Sequence, residues 1–277
     1  MKKITAIVFL LALLSLGTQA SAKYITISNT ITMEKVVSGE ETTINITLSN
    51  TGDEAAYDVQ LSLMLPDKMT ADQIFLGKVD PQIPQSGTFS VKIDPSINPG
   101  IYSIGVLTEY KDANRYAFSS VSPNSLIIKG PRSSQVNGMI PELSLGSKGE
   151  VKRLRLDLRN MEEKNRDLKI RIFAPKELKV NPPEKSVSIP GRSEANEEFD
   201  ISSFGALEGS SYIVFASMDY DEDGYHYSST AGGMVKIVKQ AEVLNFSGLV
   251  PIIALVFLVL VFIAYQIYHL VKKNVKK

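Results

Sequence analysis

The sequence predicts an all-β exported body, two tandem sandwiches carried on one C-terminal transmembrane α-helix. Three observations predict it: apolar and polar residues alternate strictly, the pattern recurs about 110 residues later, and uncharged apolar runs lie near both ends. Lys2 and Lys3 precede the uncharged run 4–16, and Ala20-Ser21-Ala22 follows it. That is the layout of a secretory signal peptide cut after Ala22, residues 1–22. The run is too short to span a bilayer, at about 20 Å as a helix. Residues 245–268 contain no charge, and Lys272, Lys273, Lys276 and Lys277 follow. As a helix, 246–268 reaches about 34 Å, enough for a hydrocarbon core of about 30 Å. The expectation is a spanning helix over 246–270, a basic cytoplasmic tail over 271–277, and a type I, single-pass plasma-membrane protein facing outward.

The exported part carries no cysteine, so its cores must stand without disulfides or thiolate chemistry. Setting aside the two leading and four trailing lysines leaves 24 basic against 30 acidic residues, about −6. No basic stripe appears, which argues against a nucleic-acid partner.

The repeat sets the domain plan. Thr43-Ile44-Asn45-Ile46-Thr47-Leu48, Asn50 and Asp58 recur as Arg153-Leu154-Arg155-Leu156-Asp157-Leu158, Asn160 and Asp167. Phe89, Tyr102 and Tyr110 recur 110 residues on as Phe199, Tyr212 and Tyr220. A period this long reads as a duplicated domain, giving sandwiches over 23–129 and 130–240 joined by a short proline-bearing linker at 129–134. Within each copy, period-two alternation marks strands with one buried face, and turn signals such as Asn50-Thr51-Gly52-Asp53 and Asn98-Pro99-Gly100 punctuate them. About seven short strands per copy describe an immunoglobulin-like β-sandwich. The first core is expected from Ile44, Ile46, Leu61, Phe89, Val91, Tyr102 and Ile104.

Residues 42–110, with their Asn-x-Gly turn, Leu-Pro strand end and Pro-Gly-x-Tyr strand start, resemble the Ig-like modules found beside bacterial alpha-galactosidases and the related CARDB modules. The second copy departs from that pattern: Asn160-Met161-Glu162 replaces the Asn-x-Gly, and Glu208-Gly209 replaces the Pro-Gly. The single-pass layout also resembles the beta subunit of the translocon-associated protein complex, which has one such domain. These resemblances imply spacing or binding at a cell surface, and they imply no catalytic residue.

Candidate chemistry concentrates in Asp219-Tyr220-Asp221-Glu222-Asp223-Gly224. It matches the first half of a calcium loop, with Asp219, Asp221 and Asp223 as ligands, but the twelfth position is Thr230 where a bidentate Glu is required. The competing reading is an acidic hairpin turn built on Asp-Gly. Tyr220, Tyr225 and Tyr227 offer a protein- or glycan-contact platform, against ordinary cross-strand packing. With only His226 and His269, and no phosphate loop or nucleophile motif, the sequence predicts no enzyme and no cofactor. The functional expectation is a non-catalytic protein that binds or scaffolds a protein partner at the outer membrane face, the alternative being a carbohydrate-binding or adhesion module at the cell surface. In the first case it would serve as accessory subunit of a transport or secretion complex.

Overall fold

The computed structural model describes residues 24–147, 149–239 and the single position 257. The expected signal peptide 1–22 and tail 271–277 lie outside the described residues, as does the expected spanning helix apart from Phe257. Among the described residues no helix is long and apolar enough to cross a membrane. The body is all-β.

The first copy contains β1 (Ile27–Met33), β2 (Glu41–Asn50), β3 (Ala56–Met64), β4 (Met69–Ala71), β5 (Ile74–Val79), β6 (Gln85–Ile93), β7 (Gly100–Lys111) and β8 (Ala117–Ile128). One sheet runs β1-β2-β6-β4, and the facing one joins β8 to β7, then β3, then β5. The second copy contains β9 (Val136–Met139), β10 (Leu143–Gly146), β11 (Val151–Asn160), β12 (Arg166–Phe173), β13 (Leu178–Asn181), β14 (Glu184–Ile189), β15 (Glu194–Ser203), β16 (Ser211–Glu222) and β17 (Tyr225–Val238). Its sheets are β13-β15-β11-β9 and β14-β12-β16-β17, with β10 added parallel to β17. Strands β2 to β8 thus correspond one for one with β11 to β17.

Alternation does the folding work. On β2 Ile44, Ile46 and Leu48 are fully buried while Thr43 and Asn45 face water; on β11 Leu154, Leu156 and Leu158 do the same against Arg153 and Arg155. All seven residues expected in the first core are buried. One cluster fills each copy, drawn from 37–128 and from 136–237.

Asn50 and Asn160 do the same job in each copy. Asn50 Nδ2 donates to the Glu54 carbonyl at 2.7 Å, and its Oδ1 accepts from Gly52 N–H at 3.1 Å. Asn160 Nδ2 donates to the Lys164 carbonyl at 2.9 Å, and its Oδ1 accepts from Glu162 N–H at 3.0 Å. Each buried amide closes the turn that follows its strand.

The copies lie side by side and run in opposite senses. The Tyr225 hairpin of the second meets the 98–100 loop of the first, where His226 N–H donates to the Pro99 carbonyl at 2.8 Å. At the other end, Tyr116 of the first hairpin donates from its hydroxyl to the Gly205 carbonyl at 3.0 Å. The short linker expected at 129–134 therefore joins domains that pack along their length.

Candidate functional site

The seam between the copies is built from strands buried on both faces. Along β7, Tyr102 to Thr108 are all buried, and along β16 so are Val214 to Met218. One parity of each strand fills its own sandwich; the other meets the neighbour. At the centre Phe173 and Phe215 stack with centroids 4.4 Å apart, against Leu107, Val121 and Met64. Gly105 makes the room: a Cβ there would sit 3.1 Å from Phe215 Cζ and 3.3 Å from Phe173 Cδ1.

Polar groups close the seam on either side of this apolar centre. Glu177, 6% exposed, accepts from both the N–H and the hydroxyl of Ser119, across the two copies. Such a carboxylate is held by directed donors in place of water. At the other side the ring of His226 lies flat on Tyr102, centroids 3.9 Å apart, with Nδ1 3.0 Å from Asp221 Oδ1. Gly100 is needed for this approach, because a Cβ would fall 1.9 Å from the His226 carbonyl oxygen. Burial, and then the Asp221 and Asp219 charges, push the Tyr102 hydroxyl well above the usual tyrosine range. A cavity of about 210 Å³ remains here, lined in part by Asn98, Lys169, Arg171 and Asp221. Lys169 bonds Asp67 of the first copy at 2.9 Å, which holds that carboxyl below its ordinary value.

The acidic hairpin resolves into separate roles. Asp223 and Gly224 both have positive φ, 50° and 77°, the pattern of a two-residue type I′ turn. Strand alternation then puts Asp219 and Asp221 on the seam face, Tyr220 and Glu222 on the other. Asp219 accepts from the hydroxyls of Ser217 and Ser228; Asp221 accepts from Asn98 Nδ2 at 3.2 Å. Asp219 and Asp221 thus belong to different hydrogen-bond sets, and Asp223 serves as a turn residue. Among the described residues no group of three or more His, Cys, Asp or Glu is placed to hold a metal ion.

Of the three candidate contact tyrosines, Tyr220 is withdrawn from the surface at 5% exposure, its ring stacked on Tyr227 at 4.9 Å and its hydroxyl donating to Glu162 Oε1 at 2.8 Å. Tyr227 is half-buried beside it, against the second core. Tyr225 is half-buried under Arg132 of the linker, whose guanidinium carbon lies 4.1 Å from the ring centroid. Cross-strand pairing brings Tyr220 and Tyr227 together and leaves Tyr225 apart. Beside them Arg166, with Lys164, hydrogen-bonds Glu222 and depresses its carboxyl to about 2.

An outward-facing trough of about 550 Å³ lies on the second copy, over β9, β11 and β15. The alternation that buries Leu156 and Leu158 turns Arg155, Asp157 and Arg159 outward along it. Arg155 Nε donates to Asp157 Oδ1 at 2.5 Å, Arg159 lies 3.7 Å from Glu194, and Met139 is 59% exposed at its edge. Arg153 and Arg155 stand on the wet face that alternation predicts for this strand, whereas no motif in the sequence singles out Glu177, Phe173 or Phe215. Apolar residues at both parities of β7 and β16 were the signal for the seam.

Residues 23–113 match the family model CARDB, an Ig-like family; the second copy lies beyond that match. No curated protein matches the chain. A protein of unknown function from Porphyromonas gingivalis W83 is similar at 13% identity and a TM-score of 0.32, over 77% of this chain and 99% of that one. A FixG-related protein from Vibrio parahaemolyticus matches 38% of this chain and 97% of its own at 16% identity, TM-score 0.29. Alpha-2-macroglobulin from E. coli matches 76% of this chain over 17% of its own, at 10% identity and a TM-score of 0.30.

Proposed function

We propose that this chain is a non-catalytic, single-pass protein of the plasma membrane whose two outward-facing β-domains act as one body that binds or scaffolds a protein partner. It would serve a membrane complex, such as a transporter or secretion machine, as an accessory subunit. The trough over β9, β11 and β15 carries this reading. It sets arginines, an exposed methionine and acceptors on a rigid sheet, and Arg and Met are enriched where proteins meet. The seam supports it by fixing the orientation of that sheet. Affinity purification of the tagged full-length chain from gently solubilised membranes tests it. The expected result is a set of integral membrane proteins that co-purifies with the native chain and is lost from the R155E/R159E double variant. Retention of the same set by that variant removes the trough from the proposal.

Carbohydrate binding or adhesion is the second reading, favoured by one observation: Tyr225 and Tyr227 keep part of their rings open at the hairpin. Glycan-array binding that disappears in Tyr225→Ala would select it.

A further inference from the structure

The loop 204–210, between β15 and β16, presents apolar side chains to water while its backbone is fixed. Phe204 is 76% exposed and Leu207 37%, the former among the most exposed large apolar residues of the body. Phe204 N–H donates to the Glu177 carbonyl at 2.6 Å, and Ala206 between them is buried. Gly209 N–H donates to the Ile237 carbonyl and Ile237 N–H to the Ser210 carbonyl, each at 2.8 Å. The loop is therefore stitched to the C-terminal end of β17 at Ile237. Three more apolar side chains stand at this end of the molecule: Val238 at 41% exposure, Val151 at 62% beside its partner Ser202, and Tyr116 at 40%, bonded to Gly205. They come from separate segments of both copies, so no single hairpin explains the cluster.

We propose that this end is a lipid-contact surface, with Phe204 and Leu207 entering the headgroup region of a bilayer. The inference rests on the membrane-anchored reading above. What selects lipid as the occupant is the length of chain beyond β17: six residues lie between Val238 and the charge-free stretch 245–268, a reach of about 21 Å at most. With the chain anchored as proposed above, that length keeps an apolar rim at this end within reach of the headgroups. Aromatic rings and a tyrosine with a polar tip are the side chains that settle at this level.

The chain has no cysteine, so single reporters can be placed freely. The full-length protein in phosphatidylcholine vesicles would carry an environment-sensitive fluorophore at Glu208→Cys, Ser96→Cys or Leu260→Cys, read against a headgroup-level lipid quencher. Glu208 is exposed beside Leu207; Ser96 is exposed at the opposite end, since β17 runs 14 residues, about 43 Å, between them. The expected result is quenching at 208 about threefold above that at 96, returned to the level of 96 by Phe204→Asp. Quenching at 208 no greater than at 96 overturns the proposal, and so does a reporter shielded from water without lipid quenching, which assigns the loop to a protein. The Leu260 reporter separates the two readings. Lipid contact at 260 without contact at 208 leaves the anchor and removes the docking surface; contact at 208 alone keeps the surface and removes the anchor.

Discussion

Gly105 and Phe215 occupy the same position in the two copies, 110 residues apart, and could hardly differ more. In the first copy the position is a hole; in the second it is a ring that fills that hole. Their neighbours on the core side match closely, with Tyr102 and Tyr212, Ile104 and Val214, Val106 and Ala216 all buried. The two copies agree on the face that folds each sandwich and differ on the face where one sandwich meets the other. Two identical copies would have set glycine against glycine or ring against ring. Complementarity required them to part.

This comparison can be broken first at the ring. Phe215→Ala should destabilise the purified chain by about 3–5 kcal/mol in chemical denaturation, as expected for a fully buried Phe. Loss of protection of amides along β7 and β16 in hydrogen exchange would report the open seam. Gly105→Leu overfills the hole and should lose about 1–3 kcal/mol. Combining it with Phe215→Ala moves the bulk from one copy to the other. The double variant should be more stable than the sum of the single losses predicts, in a double-mutant cycle on the same denaturation assay. If the effects simply add, the hole and the ring are not partners.

The shared framework gives the sharper control. Asn50→Ala and Asn160→Ala each strand buried backbone groups in the same turn, and each should lose about 1–3 kcal/mol. Because the two amides do equivalent work, their losses should agree within about 0.5 kcal/mol.

The smallest effect concerns acid. Glu222 in the folded chain has its carboxyl depressed to about 2 by hydrogen bonds from Arg166 and Lys164. A depressed carboxyl contributes stability that is complete above its unfolded value, about 4.3, and is lost as pH falls towards 2. Glu222→Gln should therefore flatten the acid limb of the stability profile over that window and leave the first copy unchanged.

Much of this was legible in the sequence. Period-two runs located the strands and the core residues Ile44, Leu61 and Phe89, because one buried face leaves an alternating signature. Asn50 and Asn160 were visible as a repeated turn, and Asp223-Gly224 as a hairpin. The seam was not, for a physical reason. Phe173 and Phe215 look like core residues of their own strands, and Gly105 looks like any strand glycine. Only the lack of alternation along β7 and β16 betrays a second buried face, and it does not name what covers it. The tyrosines show the same limit: Tyr220, Tyr225 and Tyr227 are one cluster in sequence, yet strand pairing and Arg132 divide them.

The parallel pairing of β10 with β17 carries a mechanical consequence. Leu143 to Gly146 run alongside Val235 to Val238, the last four residues before the chain leaves the sheet. A pull on residue 239 along the strand loads those rungs in shear, all at once, whereas a hairpin pulled from its open end peels one rung at a time. Tension arriving from that side meets a clasp before it reaches the hydrophobic interior.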